Sequence, residues 1–270
     1  MLGFSHTASE METQQGTPAW FSARKGKLTA SNFGAAAGVN PYMSRRKALK
    51  DALEPAVRGV APAACLWGTK NERNAIKDYM IRTGNVVVSK GFYTHPDYPW
   101  LGGSPDGLVG DEGIIEVKCP FYVQVPHPKI PIHYYCQVNG LLEILNRQWC
   151  DFISWTPTEM KIYRVYRDPL LWDYLLERYS VFFACMQRGC SNIPQMRPGE
   201  KAAVTLRIEQ SDEETAYDFW SALEPANLNG VWDGPPDDPY LSYSSDETQV
   251  DSPSSKRPRE DGTDDVRELS

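Results

Sequence analysis

Ser104–Pro105–Asp106–Gly107, followed six residues later by Ile114–Ile115–Glu116–Val117–Lys118, is the stretch that decides how this chain folds. Side chains two apart on a strand share a face. Glu116 and Lys118 therefore project together, while Ile115 and Val117 face a core. Gly110–Asp111–Glu112–Gly113 reads as a tight turn between two short strands, 103–109 and 113–118. That turn folds Asp106 back beside Glu116. Two carboxylates and a lysine on one face are costly to desolvate without compensation. A divalent cation compensates them. Mg²⁺ takes oxygen ligands, keeps several waters, and in such a place orients a water for attack on a phosphodiester. Lys118 would then position or deprotonate that water, or stabilise the charge that develops. An isolated E-x-K strand is more often a surface salt bridge, so the flanking sequence has to decide.

Working outward, apolar periodicity and end signals alternate. Residues 20–37 read as helix, with Thr29 or Ser31 as a cap for its second half, and 45–53 as a short basic helix. Residues 67–83 read as an amphipathic helix closed by Gly84. A strand is expected at 86–93, a helix at 134–145, strands at 151–156 and 161–166, and a long helix at 169–187. Ser211 and Glu214 have capping-box spacing ahead of Ala216, Phe219, Trp220 and Leu223, which predicts one more helix there. Helices around a mixed central sheet make this an α/β layer fold.

The 270 residues divide into four regions: a flexible N-terminus (1–17), the main domain (18–190), a C-terminal extension with one helix (191–232), and an acidic Ser/Pro-rich tail (233–270) whose composition predicts disorder. The net charge of −7 belongs to that tail, and the rest is neutral with a locally basic stretch at 24–58. No apolar run approaches the length of a membrane span, and the first residues lack a signal-peptide core. This implies an intracellular protein. The six cysteines include no C-x-x-C pair, so they are expected as reduced thiols, with Cys119 packed and buried.

Asp106, Glu116 and Lys118 match the PD-(D/E)XK nuclease pattern. The wording SPDGLV…IIEVKCP resembles the lambda exonuclease and YqaJ viral recombinase family. Further stretches agree in order: Trp20-x₃-Arg24-x-Gly26-x₂-Thr29-Ala30-Ser31, then Trp67-Gly68-x₃-Glu72, then Tyr134-x₂-Gln137, then Asp151–Phe152. The resemblance implies a restriction-endonuclease-like core and a 5′→3′ exonuclease on double-stranded DNA ends, with two Mg²⁺ ions for which Mn²⁺ would substitute. It implies Asp106, Glu116 and the Val117 carbonyl as metal ligands, and Glu72 as a carboxylate for the second ion. Lys118 would act on the water, with Gln137 orienting that water or contacting Lys118. Arg24 and Ser31 would hold the terminal 5′-phosphate, in keeping with the planar donor fork of arginine. A 3′ overhang, a single-strand annealing partner and a homotrimer are implied in the same way. The family also uses an upstream aspartate. Here the candidate is Asp97, beside a structural His95, and neither enters the catalytic set.

Two other functions remain open at this point: a PD-(D/E)XK endonuclease of repair or restriction type, and an inactive DNA-end binding module. In the tail, Lys256–Arg257–Pro258–Arg259 would read as a nuclear localisation signal in a eukaryotic host.

Overall fold

The computed structural model describes residues 9–11, 17–53, 62–88, 91–190 and 192–219. In chain order the elements are β1 (Ser9–Met11), α1 (Pro18–Arg24), β2 (Leu28–Thr29), a 3-10 turn (Ala30–Asn32), α2 (Phe33–Ala36), α3 (Arg45–Leu53) and α4 (Ala63–Thr83). Then come β3 (Val87–Val88), β4 (Phe92–Thr94), β5 (Leu101–Gly103), β6 (Gly107–Val109), β7 (Gly113–Lys118) and α5 (Ile132–Leu145). The remainder is β8 (Trp149–Trp155), β9 (Met160–Tyr166), α6 (Pro169–Gln187), α7 (Pro198–Thr215) and β10 (Ala216–Asp218).

The six-stranded sheet runs β10-β9-β8-β7-β6-β3. It is mixed: β7 and β8 are parallel, and every other neighbouring pair is antiparallel. Ile115, Val117, Ile153 and Ile162 face α4 through Ala75, Ile76, Tyr79 and Met80. Ile114, Phe152 and Val165 face the other way, into a larger core with α5 and α6. Strand β7 is thus covered on both faces, as its apolar run suggests. A mixed sheet between helix layers is the α/β architecture expected from the sequence.

A second, four-stranded sheet, β1-β4-β5-β2, was not foreseen. It arises where expected elements break. The helix expected at 20–37 stops at Arg24, because Gly26 takes a left-handed turn (φ +73°) that Leu28 then follows into β2, parallel to β5. Thr29 stands at the N-cap position of the 3-10 turn and Asn32 at that of α2, but among the described residues neither makes a side-chain cap bond. The strand expected at 86–93 splits between the two sheets as β3 and β4, and that at 103–109 splits at Pro105, which lacks a ladder donor.

The helix expected after Ser211 is also corrected. Helix α7 begins thirteen residues earlier, at Pro198, where Glu200 accepts the Arg197 backbone N–H (2.9 Å). Ser211 is buried inside that helix and donates to Asp168 Oδ2 (2.6 Å). The chain then enters β10, where Ala216 pairs with Val165 of β9. Trp220, Leu223 and the region 233–270 lie outside the described residues.

One buried ion pair ties α4 to the sheet. Asp151 is fully buried and meets Arg164, its cross-strand partner, in a two-pronged pair at 2.7 and 2.8 Å. Tyr79 of α4 donates to the same carboxylate at 2.7 Å. Arg164 lies between the Trp149 and Phe219 rings, 4.0 Å from each centroid. Asp151→Ala strands a guanidinium and a phenol. It is expected to cost about 3–5 kcal/mol, read as a lowered urea midpoint. A midpoint equal to wild type would contradict this.

Candidate active site

Strand β7 sets the geometry. The Glu116 side chain is 2% exposed and points toward α5. Its Oε1 accepts two bonds, from Lys118 Nζ (2.5 Å) and from Gln137 Nε2 (2.6 Å). Its Oε2 is buried and has no hydrogen-bond partner among the described residues. Native proteins rarely leave a carboxylate oxygen in that state. The surface salt-bridge alternative is excluded by this burial.

Asp106 sits just before β6, where the β6–β7 ladder ends at the Gly107–Ile115 pair. Its N–H donates to the Ile115 carbonyl (3.1 Å), and its Oδ2 accepts the Val117 N–H (2.7 Å). A strand residue's N–H and C=O point to the same side, so the Val117 carbonyl faces the Asp106 side beyond the end of β6. Glu72 approaches from the first half of α4 and Gln137 from α5. Residues on four separate elements thus converge because β7 lies at the centre of the sheet.

The charges are frustrated. Burial, then the Glu116 and Glu72 charges, push Asp106 well above the usual carboxylate range. Burial and Glu116 also raise Glu72. Burial pulls Lys118 down, but Glu116 and Asp106 outweigh it and hold the ammonium above its ordinary value. Its Nζ also lies 4.7 Å from the Tyr134 ring centroid. These neighbours therefore favour the protonated form of Lys118.

A divalent cation fits this donor set. Among the described residues no three His, Cys, Asp or Glu side chains form a closed metal cage. Mg²⁺ needs no such cage, since it binds through one or two carboxylates, waters and substrate phosphates. The partnerless Glu116 oxygen beside a destabilised Asp106 carboxylate is what such an ion would relieve.

A cleft of about 720 Å³ joins this centre to the N-terminal arm. Arg24, Ser31, Glu72, Asp106, Glu116, Val117, Lys118 and Gln137, the residues singled out from the sequence, all line it. The Arg24 guanidinium lies 4.1 Å from the Trp20 ring centroid and reaches Thr29 Oγ1 (3.3 Å) and Ser31 Oγ (3.4 Å). Trp20 Nε1 in turn donates to Ser104 Oγ (3.0 Å), two residues before Asp106. Burial lowers Arg24 to about 10, so it remains charged and would welcome an anion.

Asp97 is not on the cleft. His95 is structural: it stacks on Trp172 at 5.5 Å, and its Nδ1 accepts the Asp97 and Tyr98 N–H groups. Cys119 corrects an expectation. It is half-buried and lines the cleft; burial, Glu72 and Asp106 push its thiol up to about 12. Sequence reading missed Tyr42, Tyr122 and His127 on the cleft wall. They lie on irregular segments, where no periodicity marks which way a side chain faces.

Residues 19–148 match the YqaJ-like viral recombinase domain. That match spans just under half of the chain. Two solved structures are similar to the chain. The alkaline exonuclease LHK-Exo from Laribacter hongkongensis is 28% identical, with a TM-score of 0.52, over 74% of this chain and 100% of that one. LHK-Exo in complex with dAMP is 28% identical, with a TM-score of 0.55, over 73% and 97%. No curated protein matches the chain at a significant level.

Asp106 tests the frustration. Because folding raises its pKa, its contribution to stability falls as pH rises from the unfolded-state value through the folded one. Asp106→Asn is therefore expected to stabilise the metal-free protein by about 1 kcal/mol near neutral pH, and to weaken stabilisation by added Mg²⁺. Thermal melts with EDTA and with Mg²⁺ read both effects. A variant less stable than wild type in EDTA would contradict the assignment.

Proposed function

We propose that the protein is a Mg²⁺-dependent 5′→3′ exonuclease that holds the 5′-phosphate of a duplex end at Arg24 and Ser31, cuts beside it and leaves a 3′ single strand. A DNA exonuclease of the YqaJ type is supported by the domain match and by two structures of one alkaline exonuclease with a similar fold. The observation that carries the finer reading is a single cleft with a partnerless buried carboxylate oxygen on one side and a stacked guanidinium with two hydroxyls on the other.

Asp106, Glu116 and the Val117 carbonyl would hold one Mg²⁺, and Glu72 would reach a second, with Mn²⁺ as a substitute. When bound, the metal supplies Lewis-acid polarisation of the phosphate and a water acidified toward neutral pH. The chain's own residues supply the rest. Lys118 donates to the attacking water or to the developing oxyanion, because its neighbours keep it protonated. Gln137 fixes the Glu116 carboxylate through Oε1, which leaves Oε2 as the free ligand atom. Arg24 grips a terminal phosphate with a fork already oriented by the Trp20 ring. End recognition of this kind favours exonucleolytic over internal cutting.

A 3′ overhang is the substrate of a single-strand annealing protein, which would be the natural partner. A homotrimer encircling the duplex would add processivity. No helix among the described residues is long and apolar enough to cross a membrane. The proposed compartment is the cell interior, and the nucleus if Lys256–Arg259 acts as a localisation signal.

The test is cleavage of linear duplex labelled at either end, with 5′-phosphate or 5′-hydroxyl termini, beside closed circular DNA. Ordered loss of 5′ nucleotides with Mg²⁺, absent in Lys118→Ala, is expected. Arg24→Ala should reduce the preference for phosphorylated ends by about 10- to 100-fold. Cutting of the circle would make the protein an endonuclease. Tight end binding without cleavage under any divalent metal would make it a binding module.

A further inference from the structure

His127 belongs to the segment between β7 and α5, where sequence periodicity says nothing, yet three long-range bonds fix it. Its backbone N–H donates to Ser154 Oγ (2.9 Å), and its carbonyl accepts the Tyr163 hydroxyl (3.0 Å). Its ring Nδ1 lies 2.8 Å from the same Ser154 Oγ. The ring meets Tyr134 edge-on at 5.8 Å and Phe152 at 6.2 Å. An irregular segment is thereby fastened to β8 and β9 at one residue, and that residue lines the cleft.

The Ser154 bonds decide the tautomer. Ser154 is fully buried and already accepts the His127 N–H. Its own proton has Nδ1 as the acceptor at hand. If Nδ1 carried the proton instead, the buried hydroxyl would lose that acceptor, at a cost of about 1–3 kcal/mol. The ring proton therefore sits on Nε2, and Nε2–H is the polar group that His127 offers the cleft. Burial, then the Lys118 charge, lower the pKa of the ring, which favours its neutral form. The Lys118 ammonium lies on the Tyr134 ring that His127 also touches, which places His127 on the catalytic side of the cleft rather than the Arg24 side.

We propose that His127 is a fixed neutral hydrogen-bond donor to a backbone phosphodiester of the strand being cut, on the Lys118 side of the cleft, with Ser154 as the positioning residue that sets its tautomer. This rests on the nuclease reading and deepens it. Arg24 would hold the terminal phosphate and His127 an internal one, so the strand would be held on both sides of the bond to be broken. A neutral donor adds position without a further charge beside Lys118.

The contact is tested with duplexes carrying one uncharged methylphosphonate linkage, moved through the first few positions of the 5′-ended strand. Single-turnover cleavage and equilibrium binding are measured for wild type, His127→Gln and His127→Leu. In wild type one linkage should slow cleavage and weaken binding by about 5- to 10-fold. His127→Leu should lose that penalty at that linkage alone, whereas His127→Gln, which keeps a side-chain N–H, should retain part of it. Ser154→Ala should give an intermediate loss that is not additive with His127→Leu. The acidic limb of the pH–rate profile should not move in His127→Leu.

A penalty of the same size at every linkage in wild type and both His127 variants would overturn the proposal and leave His127 as a loop anchor. A shifted acidic limb would also overturn it, by making His127 a titrating acid or base. If His127→Leu does not fold, the comparison of wild type with His127→Gln decides, at the same linkage. If wild type leaves the unmodified duplex intact, the nuclease reading fails, while the binding series still decides the contact.

Discussion

The Glu116 carboxylate is divided between two tasks, and the arrangement around it follows from that division. One oxygen is saturated by Lys118 and Gln137, at 2.5 and 2.6 Å, and the other is buried without a partner. Such a group is expensive unless a ligand completes it. Strand β7 can carry it because α4 covers one face and α5 the other. The fold thus spends stability to keep a preorganised acceptor in a site of low dielectric, where an electrostatic contact counts for more than it does in water. The Asp151–Arg164–Tyr79 network, on the α4 side of the same sheet, supplies fully satisfied polar contacts that hold α4, and with it Glu72, in place.

The N-terminal arm solves a different problem. A guanidinium that is to bind phosphate must be charged, oriented and accessible. Trp20 provides a ring for it to stack on, and the turn at Gly26 brings Thr29 and Ser31 back beneath it. The Trp20–Ser104 bond links that arm to the segment that carries Asp106. Phosphate grip and carboxylate centre are therefore coupled through a short chain of contacts.

Much of the site was legible because its key residues follow a strand rule. Period two placed Glu116 and Lys118 together, and the short turn brought Asp106 beside them. The long helices were equally readable: 169–187 was matched at both ends by α6, and the helix ending at Gly84 has that residue in the left-handed cap conformation (φ +71°). Where local signals competed with tertiary ones, the tertiary contacts won. Apolar spacing across 20–37 suggested one helix, but burial of Leu28 against β5 draws that segment into a sheet. Ser211 had the spacing of a cap and is instead a buried partner of Asp168. His127 left no trace in the sequence, since its place depends on Ser154 and Tyr163, 27 and 36 residues away.

The claim on which the rest depends is that Glu116 Oε2 and Asp106 share a divalent ion. Anomalous diffraction from crystals soaked in Mn²⁺ tests it most directly. A peak is expected in direct contact with Glu116 Oε2 and an Asp106 oxygen, and it should be lost in Glu116→Gln. No peak in the cleft at Mn²⁺ concentrations that support cleavage, or a peak touching neither carboxylate, would contradict it.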